Sequence, residues 1–233
     1  MNIEDLHIAF KIELDKSSSF GDYTFAGNPS FLPGEIDYWL NKALMQTINT
    51  KFTGNNKLQQ AFETSVKRTT DLERLIKTDS GINLITDSGS NKVMLTNFAT
   101  EDVPDPTIVR MFYIQSVLVF GTKRVNVDLV NHEQAKRFLK TYNNNPWIPT
   151  PVATIHNNML TIYVDTTTMV GPYTLDLTYV KEPLKFSYTN LSEFIELPDY
   201  VYNEIVSTAI ALALDNIESK RVGTKLELNN IIE

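Results

Sequence analysis

The residues best suited to chemistry in this chain are few and far apart. Leu84-Ile85-Thr86 runs into Asp87-Ser88-Gly89-Ser90, an apolar strand delivering Asp-Ser-Gly in the manner of an aspartic protease. That chemistry needs two carboxylates sharing one proton, because like charges so close cannot both ionise. A single copy therefore works only in a homodimer or beside a second lobe. The other Asp-Ser-Gly, Asp79-Ser80-Gly81, lies only eight residues upstream, too close to belong to a second lobe. An apolar-apolar-Gly strand is also wanted downstream. Val119-Phe120-Gly121 imitates one, but only roughly thirty residues intervene, too few for a flap and its connecting strands. Asp-Ser-Gly-Ser is equally ordinary turn chemistry. A hairpin turn is the expectation, and a dimeric aspartic-type protease through Asp87-Ser88-Gly89 is the alternative.

Three histidines, His7, His132 and His156, are the whole stock of imidazole. His132-Glu133 stands at a helix start but lacks the second His of a zincin helix. His156 adjoins the Asn157-Asn158 turn and is expected to be solvated, and His7, near Glu4 and Asp5, is expected on a helix surface. Nothing in the sequence brings the three together, so no catalytic, cofactor-binding or metal residue is assigned. Zero cysteines exclude disulfide frameworks, thiol catalysis and Cys-based zinc sites. The nine glycines form neither a Walker loop nor a Rossmann fingerprint. Net charge is −7, from 21 Lys+Arg against 28 Asp+Glu, which argues against a general grip on nucleic acid by phosphate neutralisation. The densest basic pairs, Lys67-Arg68 and Lys123-Arg124, do not extend into runs, and Glu101-Asp102 with Asp105 reads as a solvated turn. Tyr142, Trp147 and Tyr163 would suit a carbohydrate or receptor reader, although core or hairpin packing is the commoner use of such aromatics.

The 233 residues, 42% of them hydrophobic, leave room for one large domain or a core with a sizeable insert. Three helices are expected before residue 78. Asn2 caps one that carries Ile3, Leu6, Phe10 and Leu14 on a single stripe and fades at Ser17-Ser18-Ser19. After a Gly-, Pro- and aromatic-rich loop, Pro33 suits the first turn of a second, with Glu35 and Asp37 complementing its positive end. Its apolar side is Ile36, Trp39, Leu40, Ala43, Leu44 and Ile48, and it ends near Gly54. The third follows Asn55-Asn56, with Leu58, Phe62, Val66, Leu72, Leu75 and Ile76 as its inner face.

From about residue 82 to 188 the period changes from 3.6 to 2. Strands are expected over Lys92–Phe98, Val109–Phe120, Arg124–Val130, Pro151–His156, Met159–Asp165 and Tyr173–Lys181, with a short helix over His132–Tyr142. Asn157-Asn158 makes a good hairpin turn because Asn tolerates positive φ. A β-sandwich or curled sheet follows. The last helix begins at Pro198 and is apolar around most of its circumference, through Val201, Ile205, Val206, Ala209, Ile210, Leu212, Ala213, Leu214 and Ile217. A surface helix needs one apolar stripe, so this one is either central to a bundle or shared with a neighbouring subunit. Beyond Gly223, Leu226, Leu228, Ile231 and Ile232 alternate with polar residues, and such a tail is expected to dock on its own chain or on a neighbour. The fold class is α+β: a helical bundle from the N- and C-terminal segments (1–80 and 191–233) with an inserted antiparallel β-rich domain (81–190).

Two segments together resemble a known family. One is Ile3-Glu4-Asp5-Leu6-His7-Ile8-Ala9-Phe10-Lys11 followed by Phe31-Leu32-Pro33-Gly34-Glu35-Ile36-Asp37-Tyr38-Trp39-Leu40-Asn41-Lys42-Ala43. The other is Phe194-Ile195-Glu196-Leu197-Pro198-Asp199-Tyr200-Val201-Tyr202-Asn203-Glu204-Ile205-Val206, running on to Ser219. A helix reading Pro-x-Glu-Ile-Asp-x-x-Leu-Asn-x-Ala, paired with a Leu-Pro-initiated apolar closing helix, resembles the head-to-tail connector (neck ring or adaptor) proteins of tailed phages, and most of all the ring proteins of crAss-like phages. The likeness covers both helical ends and none of the strand-rich middle. It implies a structural virion protein, not an enzyme, forming a closed ring of roughly twelve identical subunits around the DNA passage. Its implied partners are copies of itself, the portal protein, neighbouring neck rings and tail proteins, and passing double-stranded DNA held without specific binding. Val201, Ile205, Ile210, Leu214, Leu226, Leu228, Ile231 and Ile232 are the expected subunit or partner interface. No membrane segment is expected, and the chain would be made in the host cytoplasm and end in the virion neck.

Overall fold

The computed structural model describes residues 2–18, 31–54, 66–87, 90–100, 108–140, 151–166, 172–190 and 196–216, in two units: 1–74 with 183–233, and 75–182.

In the first unit, Asn2 caps α1 (Ile3–Ser18) reciprocally. The Asp5 N–H donates to Asn2 Oδ1 at 2.8 Å and the Asn2 N–H to Asp5 Oδ2 at 3.0 Å, which satisfies two amides a helix start leaves open. Ile3, Leu6, Phe10 and Leu14 are all buried, as the three-and-four spacing predicts. Helix α2 (Pro33–Thr53) starts with proline, whose missing N–H costs nothing there, and the Leu32 N–H donates to Glu35 Oε2 at 2.8 Å. It stops at Gly54, which adopts φ 73° and donates its N–H to the Thr50 carbonyl. All six predicted inner residues of α2 are buried. Helix α5 (Asp199–Asn216) packs against both α1 and α2, so the two ends of the chain close on one another. The third helix is shorter than its pattern suggested. Leu58 and Phe62 lie outside the described residues, α3 spans only Val66–Leu72, and a 3-10 turn over Glu73–Leu75 follows. Leu72 and Leu75 are buried as expected, but Val66 is 85% exposed and Ile76 opens a strand.

The second unit is one eight-stranded sheet: β1 (Ile76–Asn83), β2 (Ile85–Asp87), β3 (Lys92–Leu95), β4 (Arg110–Phe120), β5 (Lys123–Leu129), β6 (Val152–His156), β7 (Met159–Tyr163) and β8 (Tyr173–Lys181). Their order across the sheet is β1-β8-β4-β5-β6-β7-β3-β2. The two ends of that order are consecutive in sequence, separated by Leu84 alone. A single stretch thus pairs first with β8 and then with β3, and the sheet curls round on itself. The bend follows a bulge between Asp79 and Ile82, where Gly81 takes φ 76°, a conformation a Cβ would strain. Inside the curl lie Val93, Leu95, Leu118, Val127, Leu160, Ile162, Leu175, Leu177 and Tyr179. Pairing is antiparallel except between β5 and β6. These run parallel over Asp128–Val152 and Leu129–Ala153, because α4 (His132–Lys140) lies in the connection between them. Asn157 and Asn158 take φ 48° and 59° in the β6–β7 turn, the twin positive values of the predicted tight hairpin.

The unit boundaries fall near 74/75 and 182/183, ahead of the expected 80/81 and 190/191. β1 claims Ile76 onward, and Asn41 draws the 183–190 stretch to the helices. Its Oδ1 accepts the Phe186 N–H at 2.8 Å, and its Nδ2 donates to the Phe186 carbonyl at 2.9 Å.

Candidate functional site

Two polar clamps fix the helical unit. In the first, His7 on α1 is buried, not on the surface as its acidic neighbours suggested, and its Nε2 lies 2.8 Å from Asp37 Oδ1 on α2. The other oxygen of Asp37 accepts the Tyr188 N–H at 2.8 Å, and the Tyr188 ring lies 5.5 Å from the imidazole. A carboxylate that takes one bond from each side ties α1, α2 and the 183–190 stretch together. In the second clamp, Lys51 near the end of α2 bridges Asp71 Oδ2 at 2.6 Å on α3 and Glu204 Oε2 at 2.7 Å on α5. Burial alone pulls its ammonium downward, but the hydrogen bonds and charges of Asp71 and Glu204 outweigh that and raise it. The Tyr200 phenol beside this clamp is pushed up to about 12 by burial and then by Asp71. At the start of α5 the Tyr202 hydroxyl donates to the Leu197 carbonyl at 2.7 Å and accepts the Leu197 N–H at 3.0 Å.

These contacts decide where the expected interface residues sit. Val201, Ile205, Ile210 and Leu214 are buried within the chain itself, at 1%, 0%, 0% and 6% exposure. Helix α5 is therefore central to a bundle of its own chain, and a subunit contact through those four would require that bundle to open. Leu226, Leu228, Ile231 and Ile232 lie outside the described residues. The large apolar residues the helical unit does offer to solvent include Ile8 and Ile12, one turn apart on the side of α1 away from its buried stripe, Leu32 and Tyr38 at the start of α2, and Val66, Leu184, Tyr188 and Tyr200. The signal for them was present: Ile8 and Ile12 break the polar face that a fully solvated helix side carries.

In the curled sheet, Asp87 ends an exposed edge strand, pairs across the hairpin with Lys92 and accepts the Ser90 hydroxyl, as the turn reading expected. Ser88 and Gly89 lie outside the described residues. Arg110 is the principal buried charge: its Nη2 lies 2.9 Å from Asp79 Oδ2, its Nη1 donates to the Phe98 carbonyl at 2.9 Å, and its guanidinium stacks 5.2 Å from the Tyr179 ring centre. Burial first, and then Asp79, pushes the Tyr179 phenol up to about 12. Among the three histidines the fold joins two: His132 and His156 are both exposed, with ring centroids 5.2 Å apart. Tyr163 packs beside Lys92, whose Nζ lies 5.8 Å from its ring centre, while Tyr142 and Trp147 lie outside the described residues.

Among the described residues there is no cluster of three or more His, Asp or Glu placed to hold a metal ion, and no helix is long and apolar enough to cross a membrane. No known protein family matches this sequence, and no curated protein is similar to it.

Proposed function

We propose that this chain is a structural virion protein, one subunit of a closed ring in the portal-to-tail connector of a tailed phage related to the crAss-like group. The observation that carries the reading is the closure of the chain's two ends, α1 and α2 against α5, with residues 75–182 forming a β unit of their own. That plan is the one the resemblance of the helical ends implies. Nearly all of the net charge of −7 belongs to residues of the helical unit, which suits a passage that repels the moving duplex instead of holding it. Since α5 spends its apolar residues on its own chain, contacts with neighbouring copies fall to solvent-facing apolar residues such as Ile8, Ile12, Leu32, Tyr38 and Val66 and to the segment carrying Leu226 to Ile232. A head-to-tail contact of unlike surfaces closes into a ring when its rotation divides the circle.

Native mass measurement with negative-stain imaging tests this, on the purified chain alone and then with its portal protein. An annulus in either sample supports the ring. A monomer or dimer in both, unchanged by the portal, sinks the portal-adjacent version.

A further inference from the structure

The helical unit carries two unlike apolar surfaces that its own packing keeps apart. Along α1, His7 meets Asp37 and then Phe10 meets Phe31, ring centroids 5.7 Å apart, so α1 runs antiparallel to α2 at its start. Helix α3 sits at the other end of α2, where Lys51 binds Asp71 at 2.6 Å. At 1.5 Å per residue, Asp37 and Lys51 are about 21 Å apart along the helix. The exposed Ile8 and Ile12 therefore lie near one end of α2 and the exposed Val66 near the other, too far to cover each other within one chain. We infer that they meet between chains: Val66 and Lys67 of one copy seat on the Ile8–Ile12 side of α1 of the next. The inference rests on the ring reading and names a contact that would close the ring.

Charge fits the same pairing. The outward side of α1 carries Glu4, Asp5 and Lys11 beside the two isoleucines, two carboxylates against one ammonium. Glu4, Ile8 and Ile12 follow one another at intervals of four residues and so form one row along the helix, acidic at its head. On α3, Lys67 adjoins Val66 and stands 3.7 Å from Glu204, which Lys51 already holds at 2.7 Å. Lys67 is thus left to turn outward. A valine against the two isoleucines, with a lysine toward the acidic head of the row, gives both the contact and its register. Because the two surfaces are unlike and sit at opposite ends of one helix, each copy that is received also offers the other surface onward. That is the head-to-tail arrangement from which rings are built.

The chain has no cysteine, so introduced thiols report this contact without background. Full-length Ile8→Cys and Val66→Cys chains, both altered at exposed positions, are treated with a short bis-maleimide separately and then mixed, alone and with the portal protein. Each by itself should stay unlinked, and the mixture should give a linked pair holding one chain of each. With both substitutions in one chain, a ladder of linked copies should appear. Glu4→Lys assemblies should come apart at lower salt than those of the unaltered chain, and adding Lys67→Glu should restore them. An annulus without the mixed link overturns this contact and leaves the ring standing. The mixed link without an annulus supports the contact and overturns closure. Linkage of Ile8→Cys to itself puts α1 in a two-fold dimer and overturns the inference, and neither annulus nor link overturns both readings.

Discussion

The two units are held together by opposite means. The helical unit is assembled from the far ends of the chain, and its polar clamps join helices that share no local sequence: His7 to Asp37, and Lys51 to Asp71 and Glu204. The β unit is closed by the chain itself, because β1 and β2 are one stretch turning at Leu84 from β8 to β3. A covalent corner cannot dissociate, whereas a clamp depends on both partners being present and correctly charged. Where a fold is closed by side chains, single substitutions should open it. Where it is closed by backbone, they should mostly loosen it.

The largest effects should come from the buried ion pairs. Lys51→Met takes the cation from Asp71, which is fully buried, leaves Glu204 only Lys67 at 3.7 Å, and should cost about 3–5 kcal/mol in the helical unit. Arg110→Met strands Asp79 and should cost a similar amount in the β unit. Calorimetry should show each variant lowering the melting transition of its own unit alone; one shared transition moved by both would break the comparison. Next come the cores: Ile205→Ala in α5 and Leu177→Ala in β8 should each cost about 2–5 kcal/mol by chemical denaturation, as fully buried aliphatic truncations do.

Alkaline pH should sharpen the contrast at smaller amplitude. Lys51 is raised above 10.5 in the folded state, so its contribution is complete below that value and is lost as pH climbs through the folded one. Tyr179 and Tyr200 are pushed up to about 12 and Tyr202 is raised by burial, so the unfolded chain releases those protons first, from pH 10 upward. Every one of these groups has the same sign: stability should be flat just below pH 10 and fall above it. Tyr202→Phe should flatten that fall in the helical transition and leave the β transition unchanged. The smallest effect should be at the β6–β7 turn. Asn158→Ala loses both a residue tolerant of φ 59° and the acceptor for the Ala99 N–H, costing about 1–2 kcal/mol in urea unfolding.

Strand β8 was readable because Tyr173, Leu175, Leu177 and Tyr179 alternate with partly solvated residues. β1 was not, because Lys77-Thr78-Asp79-Ser80-Gly81 carries no apolar residue. Its pairing is decided by β8, some hundred residues away at Thr78 to Thr178. Leu72, Leu75 and Ile76 kept helical spacing across a point where the backbone becomes a strand, which is why the third helix read too long. The α5 pattern correctly announced burial on nearly all sides, but periodicity cannot say whose side chains do the burying. The clamps and the His132–His156 pair were illegible for one reason. Contacts across twenty residues or more leave no trace in local spacing, and His7 beside Glu4 and Asp5 carries no sign of Asp37.

One pairing carries a consequence for how such a chain can change. The β unit is entered at Ile76 and left just after Val180, and these two residues are direct cross-strand partners. Its doorway is therefore about one strand spacing wide, near 5 Å. A segment inserted through so narrow an opening can be lengthened, exchanged or excised without lengthening the path between Arg74 and Pro183. The helical frame and the β insert can then diverge at different rates, the first constrained by packing between distant ends and the second free to be replaced whole.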